Sequence, residues 1–166
     1  MPILNADVFE FISRSPDQTR RIGMRLGDLV QPGDVICLSG DLGAGKTTLV
    51  QGIARGWGST DAATSPTFVL VNTYRRVDGA VLNHLDAYRL QDALEAEMLD
   101  LDNLIEAGPL VVEWPEKIEA ALPENNLWIA MDWVADEHRR MLFTPHGDCY
   151  TGKLEQFKAS TVKGFE

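Results

Sequence analysis

The stretch Gly40-Asp41-Leu42-Gly43-Ala44-Gly45-Lys46-Thr47 meets the pattern G-x-x-x-x-G-K-[ST] at every fixed position. That spacing suits one kind of chemistry, the wrapping of main-chain N–H groups around phosphate oxygens. Gly40, Gly43 and Gly45 permit the tight turns and close backbone approach that this needs. A helix beginning at the end of the loop adds the positive end of its dipole. Lys46 reaches β- and γ-phosphates as a point charge, and the Thr47 hydroxyl is a suitable oxygen ligand for Mg²⁺.

Phosphoryl chemistry also needs a carboxylate for the cation and a group to position the nucleophile. In open α/β sheets such groups lie at the carboxyl ends of strands. Two acids sit at such ends. Asp86 closes Val81-Leu82-Asn83-His84-Leu85, and Glu113 closes the cleaner apolar run Leu110-Val111-Val112. We assign Asp86 to Mg²⁺ from behind its direct ligands or through water, and Glu113 to Mg²⁺ or the attacking water; the residues alone leave the reverse open. His84 falls on the same side of its strand as Asp86 by alternation and reads as a packing or hydrogen-bonding residue. Ser65-Pro66-Thr67 offers either a hydroxyl that senses the γ-phosphate or a turn that starts a strand. Arg89 offers either a charge for the transition state or a partner for the acidic segment after it, and pairing is the favoured reading. Trp114 offers either a place near the nucleotide or, as the favoured reading, a core residue. No N-K-x-D motif is present, so the usual guanine-reading element is missing.

The elements that must position these groups are legible around them. Asp34–Ser39 reads as a central strand before the loop, and Leu49, Val50, Ile53, Ala54 and Trp57 give a helix after it. Upstream, residues 8–12 read as an edge strand. Ser15, Pro16 and Gln18 form a capping-box start to a helix carrying Ile22, Leu26 and Leu29, which Pro32-Gly33 stops. Downstream, residues 68–74 and 81–85 form a hairpin about Asp78-Gly79. Leu94, Met98, Leu101 and Ile105 predict one amphipathic helix over Asp92–Glu106. A short helix over 116–122, strands at 127–133 and 141–144, and a C-terminal helix from about Lys153, frayed from Ala159, complete the chain. The expected fold is α/β: a P-loop NTPase-like three-layer sandwich whose mainly parallel sheet carries an antiparallel hairpin. Without a linker, repeat or low-complexity segment, residues 1–166 read as a single domain.

Composition bounds the function. A net charge of −10 argues against a protein that grips nucleic acid alone, which needs a basic face. No apolar run approaches the roughly 18–20 residues that span a bilayer, and no basic segment marks a signal peptide. Two cysteines, one inside the central strand, fit a reducing, cytoplasmic setting.

Taken together, Gly40–Thr48, Ser65-Pro66-Thr67-Phe68, His84-Leu85-Asp86-Ala87-Tyr88-Arg89-Leu90 and Glu113-Trp114-Pro115-Glu116 resemble the TsaE (YjeE) family. These are small bacterial P-loop ATPases of tRNA threonylcarbamoyladenosine formation. The order and separation of the motifs are similar to the family throughout residues 15–116, and looser after Trp133. The resemblance implies ATP as substrate at Leu42, Gly43, Ala44, Gly45, Lys46, Thr47 and Thr48, with Thr19 near the base. It implies Mg²⁺ on Thr47 and Glu113 with Asp86 close by, and Lys46, Glu113 and Asp86 as the catalytic set. It also implies TsaB and TsaD as partners, with tRNA met indirectly through them and no membrane. Arg139 matches a family arginine without an implied role.

Two other functions compete. A small P-loop kinase needs a lid bearing arginines, whereas residues 92–106 are acidic and carry none. A nucleotide-gated binding module with incidental hydrolysis differs from a partner-stimulated ATPase only in how far a partner raises the rate, which in P-loop enzymes reaches about 10³–10⁵-fold.

Overall fold

In the computed structural model, which describes residues 7–63 and 70–164, seven strands form one sheet in the order β1-β7-β6-β2-β5-β4-β3. The centre is parallel: β4 (Val81–Asp86), β5 (Leu110–Glu113), β2 (Val35–Ser39) and β6 (Asn126–Ala135) run side by side. Antiparallel pairs close both edges. β3 (Val71–Arg75) pairs with β4, as the sequence suggests. On the far side β7 (His138–His146) folds back on β6, and β1 (Phe9–Ser13) takes the edge beside it.

Side-chain alternation divides the core into two layers. Ile36, Leu38, Leu82 and Val111 face α1 (Pro16–Gly27), α2 (Lys46–Trp57) and α5 (Asp148–Gly164). Val35, Cys37, Leu85 and Val112 face α3 (Ala93–Glu97), α4 (Leu101–Ala107) and two 3₁₀ turns at 115–117 and 119–121. This is the expected three-layer sandwich. Burial pushes the Cys37 thiol up to about 12, so it stays a protonated apolar filler.

Helices α1 and α2 lie unusually close. A Cβ added at Gly52 would meet the Arg20 carbonyl oxygen at 2.2 Å, and one at Gly56 the Met24 carbonyl oxygen at 2.0 Å. The glycines therefore set the distance between the two helices, and so the attitude of the helix that carries the phosphate loop.

Several expectations need correction. The segment 92–106 is two helices, because Asp100 adopts a left-handed conformation (φ +53°) that re-aims the chain. That turn buries Ala96 and Leu101 and leaves Leu94 and Met98, half of the predicted stripe, 70% and 88% exposed. Arg89 is exposed and forms no ion pair among the described residues. The hairpin loop is one residue longer than Asp78-Gly79 alone suggests: Gly79 N–H bonds Arg76 O, and Arg76 N–H bonds Ala80 O across it. Helix α1 ends at Gly27, where Asp28 donates to Met24 O, before Pro32-Gly33 is reached. The segment 116–122 forms 3₁₀ turns rather than an α-helix, and α5 starts at Asp148 and continues beyond Ala159 to Gly164. Its attachment explains this: Tyr150 accepts from Val35 N–H, and Lys153 pairs with the buried Asp34. Ser65-Pro66-Thr67 and the predicted strand start at 68 lie outside the described residues.

Candidate functional site

The loop of residues 40–45 joins β2 to α2. Gly43 takes φ +82°, a left-handed turn that side chains disfavour. Gly40 passes so close to β6 that a Cβ there would lie 2.4 Å from the Met131 carbonyl oxygen. The loop closes with Ala44 N–H on Asp41 O at 3.1 Å. Helix α2 then begins at Lys46 behind Gly45, with no side-chain cap and no acidic residue in its first turn. An uncapped, unneutralised helix N-terminus presents N–H groups and a positive dipole end to an anion.

The two strand-end carboxylates line the same cavity as that helix end. In the parallel register Asp86 of β4 lies directly beside Glu113 of β5, as expected of acids at neighbouring strand ends. A cavity of about 310 Å³ brings Leu42, Gly43, Gly45, Lys46, Thr47 and Thr48 together with Asp86 and Glu113. Two of the predicted residues are off its wall. Ala44 is buried in the core beneath the loop. Thr19 is buried in the first turns of α1, where its hydroxyl lies 2.6 Å from that of Ser13. Ser13 is the register partner of Arg139, which itself reaches the loop, so Thr19 is joined to the loop through those two residues. A larger cavity of about 630 Å³ lies by Arg20, Gln51 and Arg55. It has neither the glycine loop nor the strand-end acids, so chemistry rather than volume identifies the site.

Lys46 is buried, donates to the Gly40 carbonyl and holds its ammonium 3.7 Å from the centroid of the Trp114 ring. Desolvation lowers its pKa, against the opposing pull of Glu113, Glu116, Asp86 and Asp41. Asp86 is half-buried and accepts from Tyr88 N–H at 2.9 Å. Desolvation raises its carboxyl above the ordinary 3.8, with the neighbouring Glu113 charge acting the same way. Glu113 is 3% exposed, and its Oε2 lies 2.8 Å from His84 Nε2.

Two further residues line the cavity. Trp114 meets both of its readings: it packs partly buried against the core and also lies under Lys46 on the cavity, with its backbone left-handed at φ +58°. Left-handed non-glycine residues gather at functional sites; the position directly after a strand-end acid was the available signal. Arg139 Nε donates to Gly43 O at 3.2 Å, and its Nη1 to Asp136 O and His138 O. Nothing in residues 136–140 alone announces that reach, because it depends on β7 folding back over β6.

A magnesium site fits this set of donors. Mg²⁺ is commonly held by one or two carboxylates together with substrate phosphates rather than by an all-protein cage. Asp86, Glu113 and Thr47, whose side chains carry oxygen donors, line the same cavity. Among the described residues no group of three His, Cys, Asp or Glu forms a cage. Nor, among them, is any helix long and apolar enough to cross a membrane.

Known proteins are similar to this chain. The family described as "Threonylcarbamoyl adenosine biosynthesis protein TsaE" matches residues 13–141. The tRNA threonylcarbamoyladenosine biosynthesis protein TsaE of Bacillus subtilis is 41% identical over 144 residues, covering 86% of this chain and 89% of that protein. Its namesake from Streptomyces coelicolor is 44% identical over 135 residues, covering 78% and 91%. Among solved structures, Bacillus subtilis YdiB superposes with a TM-score of 0.77 at 31% identity, covering 93% of this chain and 96% of that one.

Proposed function

The chain belongs to the TsaE family, and from that premise we propose that it is a magnesium-dependent ATPase serving tRNA N6-threonylcarbamoyladenosine formation at position 37. The observation that carries the reading is the uncapped start of α2, opened by Lys46, lining one cavity with Asp86 and Glu113. Main-chain N–H groups of residues 42–48 receive the phosphate oxygens, and Lys46 turns from Gly40 and Trp114 to the β- and γ-phosphates. Thr47 and Glu113 would hold Mg²⁺, with Asp86 close by behind them or through water, and the ion would supply neutralisation of charge on the phosphoryl oxygens. Thr19 stands near the base, and the 166 residues work as one domain.

The partners in this reading are TsaB and TsaD, in the cytoplasm. ATP hydrolysis supports turnover of their complex, and the chain meets tRNA through them. The charge of −10 supports the indirect route, since phosphate backbones repel an acidic body. The test is reconstituted tRNA modification by TsaB and TsaD with and without this chain, followed over several turnovers. A requirement that appears after the first turnover is expected; an identical time course without the chain would overturn the role.

A further inference from the structure

Three neighbouring strands are crossed by a line of buried polar side chains. Tyr74 on β3, His84 on β4 and Glu113 on β5 are 3%, 0% and 3% exposed. The Tyr74 hydroxyl lies 2.8 Å from His84 Nδ1, and His84 Nε2 lies 2.8 Å from Glu113 Oε2. Both ring nitrogens are thus engaged. His84 sits two residues before Asp86, on the same face of β4, and its register partner on β5 is Val111. It therefore reaches Glu113 diagonally and leaves the place directly beside Glu113 to Asp86.

We propose that His84, backed by Tyr74, is a positioning residue that fixes the Glu113 carboxylate for the metal and triphosphate. The inference rests on the reading of Glu113 as a magnesium ligand. An ionised carboxylate only accepts hydrogen bonds, so Nε2 carries the hydrogen and donates to Oε2. This holds in either protonation state of Nδ1; in the neutral ring Nδ1 accepts from Tyr74. Holding Oε2 fixes the orientation of the carboxylate. Groups behind metal ligands commonly act this way, orienting the ligand and raising its basicity. A buried carboxylate also needs a partner to stay charged. The position explains why a ring-bearing polar residue stands buried in the middle of this strand.

The test compares His84→Ala, His84→Gln and Tyr74→Phe with Glu113→Ala. Calorimetry follows ATP binding with Mg²⁺ and in chelator, phosphate release gives kcat and KM, and melting curves report folding. For His84→Ala we expect kcat and Mg²⁺-dependent binding to fall by about 10–100-fold, with binding in chelator unchanged. His84→Gln, which restores an N–H donor, should recover most of this, and Tyr74→Phe should show a smaller loss of the same kind. A lowered melting temperature with unchanged kcat and Mg²⁺ response in His84→Ala and Tyr74→Phe would reduce both residues to packing and overturn the inference. If His84→Ala does not fold, Tyr74→Phe decides by the same criterion. Wild-type Mg²⁺ response in Glu113→Ala would instead remove the ligand assignment on which the inference stands.

Discussion

Helices α1 and α2 are of equal length and packed against each other, yet they begin in opposite ways. At α1 the Ser15 hydroxyl accepts from Gln18 N–H at 3.1 Å, the Gln18 side chain accepts from Arg14 N–H, and Asp17 places a negative charge in the first turn. At α2 none of these devices is present: Gly45 caps without a side chain, no acid occupies the first turn, and Lys46 adds a positive charge. One helix satisfies its own N-terminus. The other leaves it at a cavity that two carboxylates also line. The difference teaches where to look for an anion: at the helix start that the protein has declined to neutralise.

Substitutions can break that contrast. The largest effect is expected at Glu113, where Glu113→Ala should lower kcat by more than about 100-fold while sparing ATP binding in chelator, as measured by phosphate release and calorimetry. Next, Lys46→Ala removes a charge-assisted contact of about 1.5–3 kcal/mol, or about 10–100-fold in ATP affinity. A third effect concerns acid. Because desolvation raises the Asp86 carboxyl above 3.8, its charge is lost at a higher pH than an ordinary aspartate's. Activity at limiting Mg²⁺ should therefore fall as pH drops toward that raised value. Asp86→Asn should weaken the Mg²⁺ dependence and remove that acid limb; an unaltered Mg²⁺ titration would contradict the assignment. The smallest effect belongs to the other helix. Ser15→Ala should cost about 0.5–2 kcal/mol of stability, seen as a lower melting temperature, with ATP affinity unchanged.

The helix seam supplies an independent check on how α2 is held. Replacing glycine by alanine inside a helix ordinarily stabilises it by about 1 kcal/mol. At Gly52 the new methyl would lie 2.2 Å from the Arg20 carbonyl oxygen. Steric strain of about 1–3 kcal/mol should outweigh the gain, so Gly52→Ala is expected to lower the melting temperature.

The phosphate loop, the strand before it and the helix after it were legible because local pattern dictates all three. Asp86 and Glu113 were legible because each closes a short run of strand formers. Their adjacency was not: it follows from β4 pairing in parallel with β5, a contact across many residues of chain. His84 was read as a hydrogen-bonding residue, but its partners lie on two other strands and needed the register. The type of Trp114 left core and nucleotide site both open, and its left-handed backbone serves both by setting the ring against the core and under Lys46. The stripe at Leu94, Met98, Leu101 and Ile105 misled for a different reason. Periodicity assumes a straight helix, and the turn at Asp100 divides that segment into two helices that bury different residues.

One measurement bears most directly on the claim that this helix start and these acids hold a triphosphate. Calorimetric titration of ATP with Mg²⁺ into the chain should give saturable binding at one site, weakened by about 10–100-fold in Lys46→Ala and by a comparable factor in Thr48→Asp, which gives α2 the first-turn carboxylate that α1 already has. Equal ATP affinity in the parent chain and both variants would contradict the account.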